Sequence, residues 1–136
     1  MNDFHIRTKD NQTIRFSLYH EAAPITSNAF LKLLPFSRTF FHARVSGKEI
    51  WIEDAPILDI IQENASVFAE PGEIVFGPKY PERNQIANYM GVFYGEGKLL
   101  DCGNIFGKVL EEDLHLLIDL GDKIWRHGSE ELIFAK

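Results

Sequence analysis

Residues 38 to 52, RTFFHARVSGKEIWI, bring an imidazole, a guanidinium, a carboxylate and an indole into one short stretch. His42 can titrate near neutral pH and donate or accept a proton. Arg44 presents a planar fork of N–H donors suited to a carboxylate. Glu49 can carry a proton or accept hydrogen bonds, and Trp51 offers a broad face for stacking. Together these four residues form a candidate site for a small carboxylated or amide-bearing molecule. Tyr80 and Tyr94 are further candidate contacts, and Lys79, Arg83 and Asn84 lie in the same loop as Tyr80. A second reading stays open beside this one: a solvated sheet face in which an Arg44–Glu49 pair and a His42–Trp51 contact contribute about 0.2–1 kcal/mol each. An outward tryptophan among charges asks for a cover, whether ligand, loop or partner chain.

Other chemistries find little support. Cys102 is the only cysteine, so neither a disulfide within the chain nor a cysteine zinc site is expected, and no general base is identifiable beside it. The five histidines lack metal-ligand spacing, and HEAAP at 20–24 is not the HExxH zinc motif. There is no glycine-rich phosphate loop and no Ser/His/Asp constellation, so no catalytic residue, metal or cofactor is assigned. A net charge of −6, without clustered Lys and Arg, argues against nucleic acid as a partner. No apolar run approaches the length of about 20 residues that spans a bilayer, and MNDFHIRTKD does not resemble a secretory signal. The expectation is a cytoplasmic protein with no membrane or nucleic-acid partner.

The elements that must position the candidate residues follow from periodicity. Ser46-Gly47 reads as a two-residue reversal that sets Arg44 opposite Glu49, His42 opposite Trp51, and Ala43 opposite Ile50. In that register Phe41, Ala43, Val45, Ile50 and Ile52 form the core face. A Gly47 bulge would instead set Ala43 opposite Glu49 and spoil the pattern. Before this hairpin, 4–8 and 13–19 alternate as two strands around the turn residues DNQ. EAAPITSNAFLKLLPF changes to helical spacing through Ile25, Ala29, Phe30, Leu33 and Leu34, started by Pro24 and ended by Pro35. After it, 54–70 is ambiguous between helix and crossover, EIVFG at 73–77 is a buried strand, and 78–87 is a loop. NYMGVFYG at 88–95 and NIFGKVL at 104–110 are strands joined by a loop, EGKLLDCG. Asn104 is expected to close a turn. From Glu111 a helical stripe of Leu114, Leu117, Ile118, Gly121, Ile124 and Trp125 runs to a stop at Gly128, with Gly121 a weak point and Trp125 in the core. ELIFA at 131–135 is the last strand. The chain, 1–136, reads as a single domain: a mainly β, closed antiparallel barrel whose ends two helices cover.

Three segments in order resemble the cyclophilin family: AAPITSNAFLKLLPF (22–36), FFHARVSGKEIWI (40–52) and GNIFGKVLEEDLHLL (103–117). The resemblance implies a cyclophilin-like barrel. It does not carry the isomerase residues, because the arginine position falls on Ala43, the pocket phenylalanine on Lys48 and the glutamine on Trp51. Phe93, in MGVFYG, matches an aromatic of the family without its polar neighbour. Residues 43–51, 103–106 and 124–128 resemble more closely a group of small bacterial cyclophilin-like proteins of unknown function, which lends a fold rather than a reaction. The expected function is therefore non-catalytic binding of a small carboxylated or amide-bearing metabolite at the barrel mouth, with self-association through a sheet edge. The alternatives are a degenerate prolyl isomerase or small-molecule enzyme using His42, Arg44 and Glu49, and a structural subunit of a metabolic enzyme complex.

Overall fold

The computed structural model of the chain describes residues 2–81 and 84–136. Alternation builds the first hairpin: Phe4 and Ile6 of β1 (Phe4–Arg7) lie opposite Phe16 and Ile14 of β2 (Thr13–Leu18), and all four are buried. Pro24 opens α1 (Pro24–Leu33), where its missing N–H leaves no bond unmade. The Glu63 carboxylate accepts the first-turn N–H groups of Ile25 and Thr26 at 3.1 and 2.8 Å, a favourable place for negative charge. Phe30 then packs against Phe4 and Phe106, while Ile25, expected on the apolar face, is exposed.

The remaining elements are β3 (Phe36–His42), β4 (Gly47–Ile52), β5 (Ala65–Ala69), β6 (Glu73–Phe76), β7 (Met90–Val109), a 3-10 turn (Glu111–Asp113), α2 (Leu114–His127) and β8 (Ser129–Ala135). Antiparallel pairing runs β2-β1-β8-β3-β4-β7, and β7 returns to β2. These six strands close a barrel, so the fold is mainly β with two helices. β6 is wedged between the two ends of β7, with Ile74 opposite Val92 on one side and Gly107 on the other. Buried on both faces, β6 reads in sequence as an unbroken run, EIVF, in which Ile74, Val75 and Phe76 are apolar.

Several expectations change. The hairpin takes the register with Phe41 opposite Trp51 and His42 opposite Ile50, and the Ala43 N–H donates to the Glu49 carbonyl at 2.9 Å. Phe40, not Phe41, therefore faces the core with Ile50 and Ile52, whereas Phe41 is 51% and Val45 76% exposed. The neighbouring strand decides this: Phe40 lies beside β8, whose Leu132 and Phe134 point inward, and its ring stacks on Phe134 at 5.4 Å. Gly47 permits the wider loop at φ +107°, where a Cβ would lie 2.7 Å from the Glu96 carbonyl oxygen. The proposed loop at 96–103 is instead the middle of β7, which coils past β4 and pairs with β5. Within 54–70 the regular element is β5. On α2, Leu117, Leu120, Gly121 and Ile124 are buried; Trp125 is 64% exposed and Gly121 does not break the helix.

Two apolar clusters result. The barrel interior holds the Phe4, Phe16, Phe30, Phe40, Phe76, Phe106 and Phe134 rings, joined by Leu117, Leu120 and Ile124 of α2. A second cluster of Ala69, Val75, Ile86, Phe93, Leu99 and Ile105 lies on the other face of β6 and β7. Adjacent residues on a strand point to opposite faces, so Ile74 and Phe76 serve the interior while Val75 serves the second cluster.

Candidate functional site

Beside this second cluster, outside the barrel wall rather than at its mouth, lies an apolar cavity of about 350 Å³. The β3–β4 hairpin lines it with Ala43, Arg44, Val45, Ser46, Glu49 and Trp51; β6 and the loop after it contribute Val75, Gly77, Ile86 and Tyr89; β7 contributes Met90, Gly91, Leu99 and Leu100. The register described above creates this wall. Ala43, Glu49 and Trp51 share the outward face because Phe40, Ile50 and Ile52 take the inward one. Trp51 packs on Tyr89, ring centroids 5.0 Å apart and inclined by 49°.

Glu49 is the unusual member of that wall. It is only 5% exposed, and its partner is a neutral hydroxyl: Ser46 Oγ donates to Glu49 Oε1. Burial penalises the charged form and pushes its pKa from 4.5 up to about 7, against the smaller opposing effect of the Ser46 bond. Gly91 makes room for the carboxyl, since a Cβ there would collide with Oε2. Arg44 is exposed and makes no ion pair with Glu49. The cross-strand pair expected from the sequence is absent because the two residues are not opposite one another in this register.

The other candidates fall elsewhere. His42 points into the barrel end beneath α2, where its Nε2 lies 2.6 Å from the Tyr94 hydroxyl and its Nδ1 2.7 Å from the Ala43 carbonyl oxygen. Since that carbonyl only accepts, Nδ1 donates to it, and in the neutral ring Nε2 accepts from Tyr94. Burial, with the negative charge of Asp122, raises the Tyr94 pKa and keeps it a donor. Trp125 covers the His42 ring at 4.7 Å. His42, Arg44 and Trp51 also border a shallow groove with Phe41 and Trp125, so Arg44 and Trp51 separate groove from cavity. Tyr80 lies apart from the cavity, bridged to Ile61 with Lys79 Nζ 5.6 Å from its ring centroid. Arg83 lies outside the described residues. Asn84 holds its loop, its Nδ2 donating to the Cys102 carbonyl at 2.9 Å. Asn104 is wholly buried and fully engaged, so it makes more than a turn bond.

Of the residues singled out from the sequence, Arg44, Glu49 and Trp51 line the cavity, and Ser46, Tyr89 and Gly91, which were not singled out, line it with them. The one available signal was the glycine spacing at 91, 95 and 97, which marks a strand approached closely by its neighbours. Among the described residues, no group of three or more His, Cys, Asp or Glu could hold a metal ion. Among the same residues, no helix is long and apolar enough to cross a membrane.

Fold and site together define a closed antiparallel barrel with a lateral apolar cavity and, in its wall, one buried carboxyl that meets no cation among the described residues. The chain belongs to a family described as protein of unknown function (DUF3830), whose model matches residues 7–136. Among solved structures it is similar to McbB in complex with tryptophan, at 18% identity and a TM-score of 0.74 over 98% of this chain. The match covers 44% of the McbB chain, so this chain spans less than half the length of that relative. It is also similar to the hypothetical protein AF2241 from Archaeoglobus fulgidus, at 18% identity and a TM-score of 0.65, over 97% of this chain and 92% of that one. At such identities the likeness shows the barrel fold alone. No curated protein matches the sequence.

Proposed function

We propose that this chain binds a small, largely apolar metabolite carrying a carboxylate or an amide, and that it does so without turnover. The observation that carries the reading is Glu49, a carboxyl in the wall of an apolar cavity with a hydroxyl and, among the described residues, no cation for a partner. A few polar groups in an otherwise apolar concavity are the usual composition of a small-molecule site, and about 350 Å³ suits a small ligand. Arg44 at the rim receives the carboxylate, Trp51 and Tyr89 flank the apolar body, and Glu49 Oε2 takes a ligand N–H. McbB, whose structure is in complex with tryptophan, offers a fold relative that holds a small aromatic molecule. We assign the barrel to the cyclophilin-like type on the three ordered motifs; prolyl isomerisation is left out because Ala43 stands where the resemblance requires arginine.

A panel of apolar carboxylates and amides tests the reading by thermal unfolding. A ligand at about 100 times its Kd adds about 2.7 kcal/mol, a rise of several degrees. The rise is expected to shrink in Arg44→Ala for carboxylates and in Glu49→Ala for amides. A flat response across the panel overturns the proposal.

One observation favours a second reading. A carboxyl with a pKa of about 7 is poised for general acid–base catalysis, so the alternative is a small-molecule enzyme in which Glu49 moves the proton. His42, occupied by Tyr94 and the Ala43 carbonyl, takes no part in it. Chemical change of a bound ligand, lost in Glu49→Gln, would replace the binding reading with this one.

A further inference from the structure

We infer that the ligand enters this cavity with an organic ammonium group, received by the Glu49 carboxylate and the rings of Trp51 and Tyr89, so that the site selects a small apolar amine. The inference rests on the binding reading above and extends it to the charge of the ligand. Glu49 Oε1 accepts the Ser46 hydroxyl, while Oε2 makes no hydrogen bond to any described residue. Trp51 stands two positions along β4 from Glu49, so both side chains leave the same face of the strand. The Tyr89 ring meets Trp51 at 5.0 Å, which gathers a carboxylate and two aromatic rings on one wall. Aromatic faces attract cations through their quadrupole, more strongly where water is excluded. A charge-assisted bond from an ammonium is roughly twice as strong as one from a neutral amide. Among the described residues, none supplies a cation to this carboxyl.

The only other ionisable side chains lining the cavity among the described residues are Arg44 of the hairpin and Tyr89 of the covering loop. β6 and the middle of β7 face it with Val75, Leu99 and Leu100. Arg44 sits at the exposed rim, where water screens its repulsion of an incoming ammonium and leaves it free for a carboxylate on the same ligand.

Calorimetric titration with phenylpropylamine, phenylpropanamide and phenylpropanoate, which share a skeleton and differ in the head group, tests the inference. The amine is expected to bind at least about tenfold tighter than the amide. That advantage should vanish in Glu49→Gln and shrink in Trp51→Leu, with both variants checked for a native circular dichroism spectrum. Because the ammonium pairs with the ionised carboxylate, amine affinity should rise about tenfold from about pH 6 to about pH 8 and then level off. An amide or acid that binds as tightly as the amine overturns the inference while leaving the binding reading in place. So does an amine preference that survives in Glu49→Gln. Absence of binding by all three overturns the inference, and the broader panel then decides the binding reading separately.

Discussion

At Glu49 two effects compete: burial disfavours the charged carboxylate, while the Ser46 hydroxyl favours it, and burial prevails. Asp113 is a carboxyl with the opposite outcome. Its oxygens accept Arg15 Nε at 2.8 Å, Arg15 Nη2 at 2.9 Å and the Arg15 backbone N–H at 2.8 Å, and the Arg15 side-chain bonds hold its pKa below the usual range. A partner of opposite charge separates the two cases. The sign for Glu49 follows from linkage. Between its ordinary pKa of 4.5 and its folded value of about 7, the folded state holds a proton that the unfolded state has released. Stability therefore falls as pH rises through that window, by roughly 3 kcal/mol in all. Glu49→Gln removes the titration, so its stability relative to the parent should improve by roughly 2–3 kcal/mol from about pH 5 to about pH 8, measured by denaturant unfolding. An unchanging difference would mean that water reaches the carboxyl.

Among the elements, α2 and the β3–β4 hairpin decide where the candidate side chains go. Gly121 lets α2 lie directly on the Tyr94 ring, leaving no space for a Cβ. That close approach keeps Tyr94 buried over His42 and so withdraws both from the cavity. Gly121→Ala should cost roughly 1–3 kcal/mol through the clash, although alanine is the better helix former. In a Tyr94→Ala background the same change should become neutral or favourable by up to about 1 kcal/mol, which thermal unfolding of the four proteins would resolve. The hairpin carries the harder lesson. FFHARV has an aromatic on each face, Phe40 and Phe41, so alternation alone fits either register. The choice comes from β8, fifteen or more residues beyond α2's start in the chain yet adjacent in the sheet.

Across the whole molecule, Asn104 ties β7 to α1 and to the irregular segment before β5. Its Nδ2 donates to Thr26 Oγ1 at 3.0 Å and to the Ile61 carbonyl at 2.9 Å, and its Oδ1 accepts the Glu63 N–H at 3.0 Å. Glu63 in turn caps α1, so a single buried amide orders a segment that lacks regular structure of its own. Asn104→Ala should cost about 3 kcal/mol by leaving buried groups unpaired, and the Glu63 amide should exchange its hydrogen faster.

Much of the barrel was legible in the residues themselves. Period-two alternation in 4–18, the helical spacing of 24–34 and the apolar run EIVF are local properties, and local sterics and burial suffice to interpret them. The types of Arg44, Glu49 and Trp51 were legible for the same reason. Their grouping was not. Burial of Glu49, the separation of His42 and Tyr94 from it, and the arrival of Tyr89 and Gly91 all depend on which strand lies beside which. Those pairings join residues distant in sequence, through β8 and the coiled middle of β7, and a one-residue change of register would reverse every face. Sequence alone thus determined the side chains able to do chemistry, and tertiary packing determined which of them share a cavity and in what state of charge.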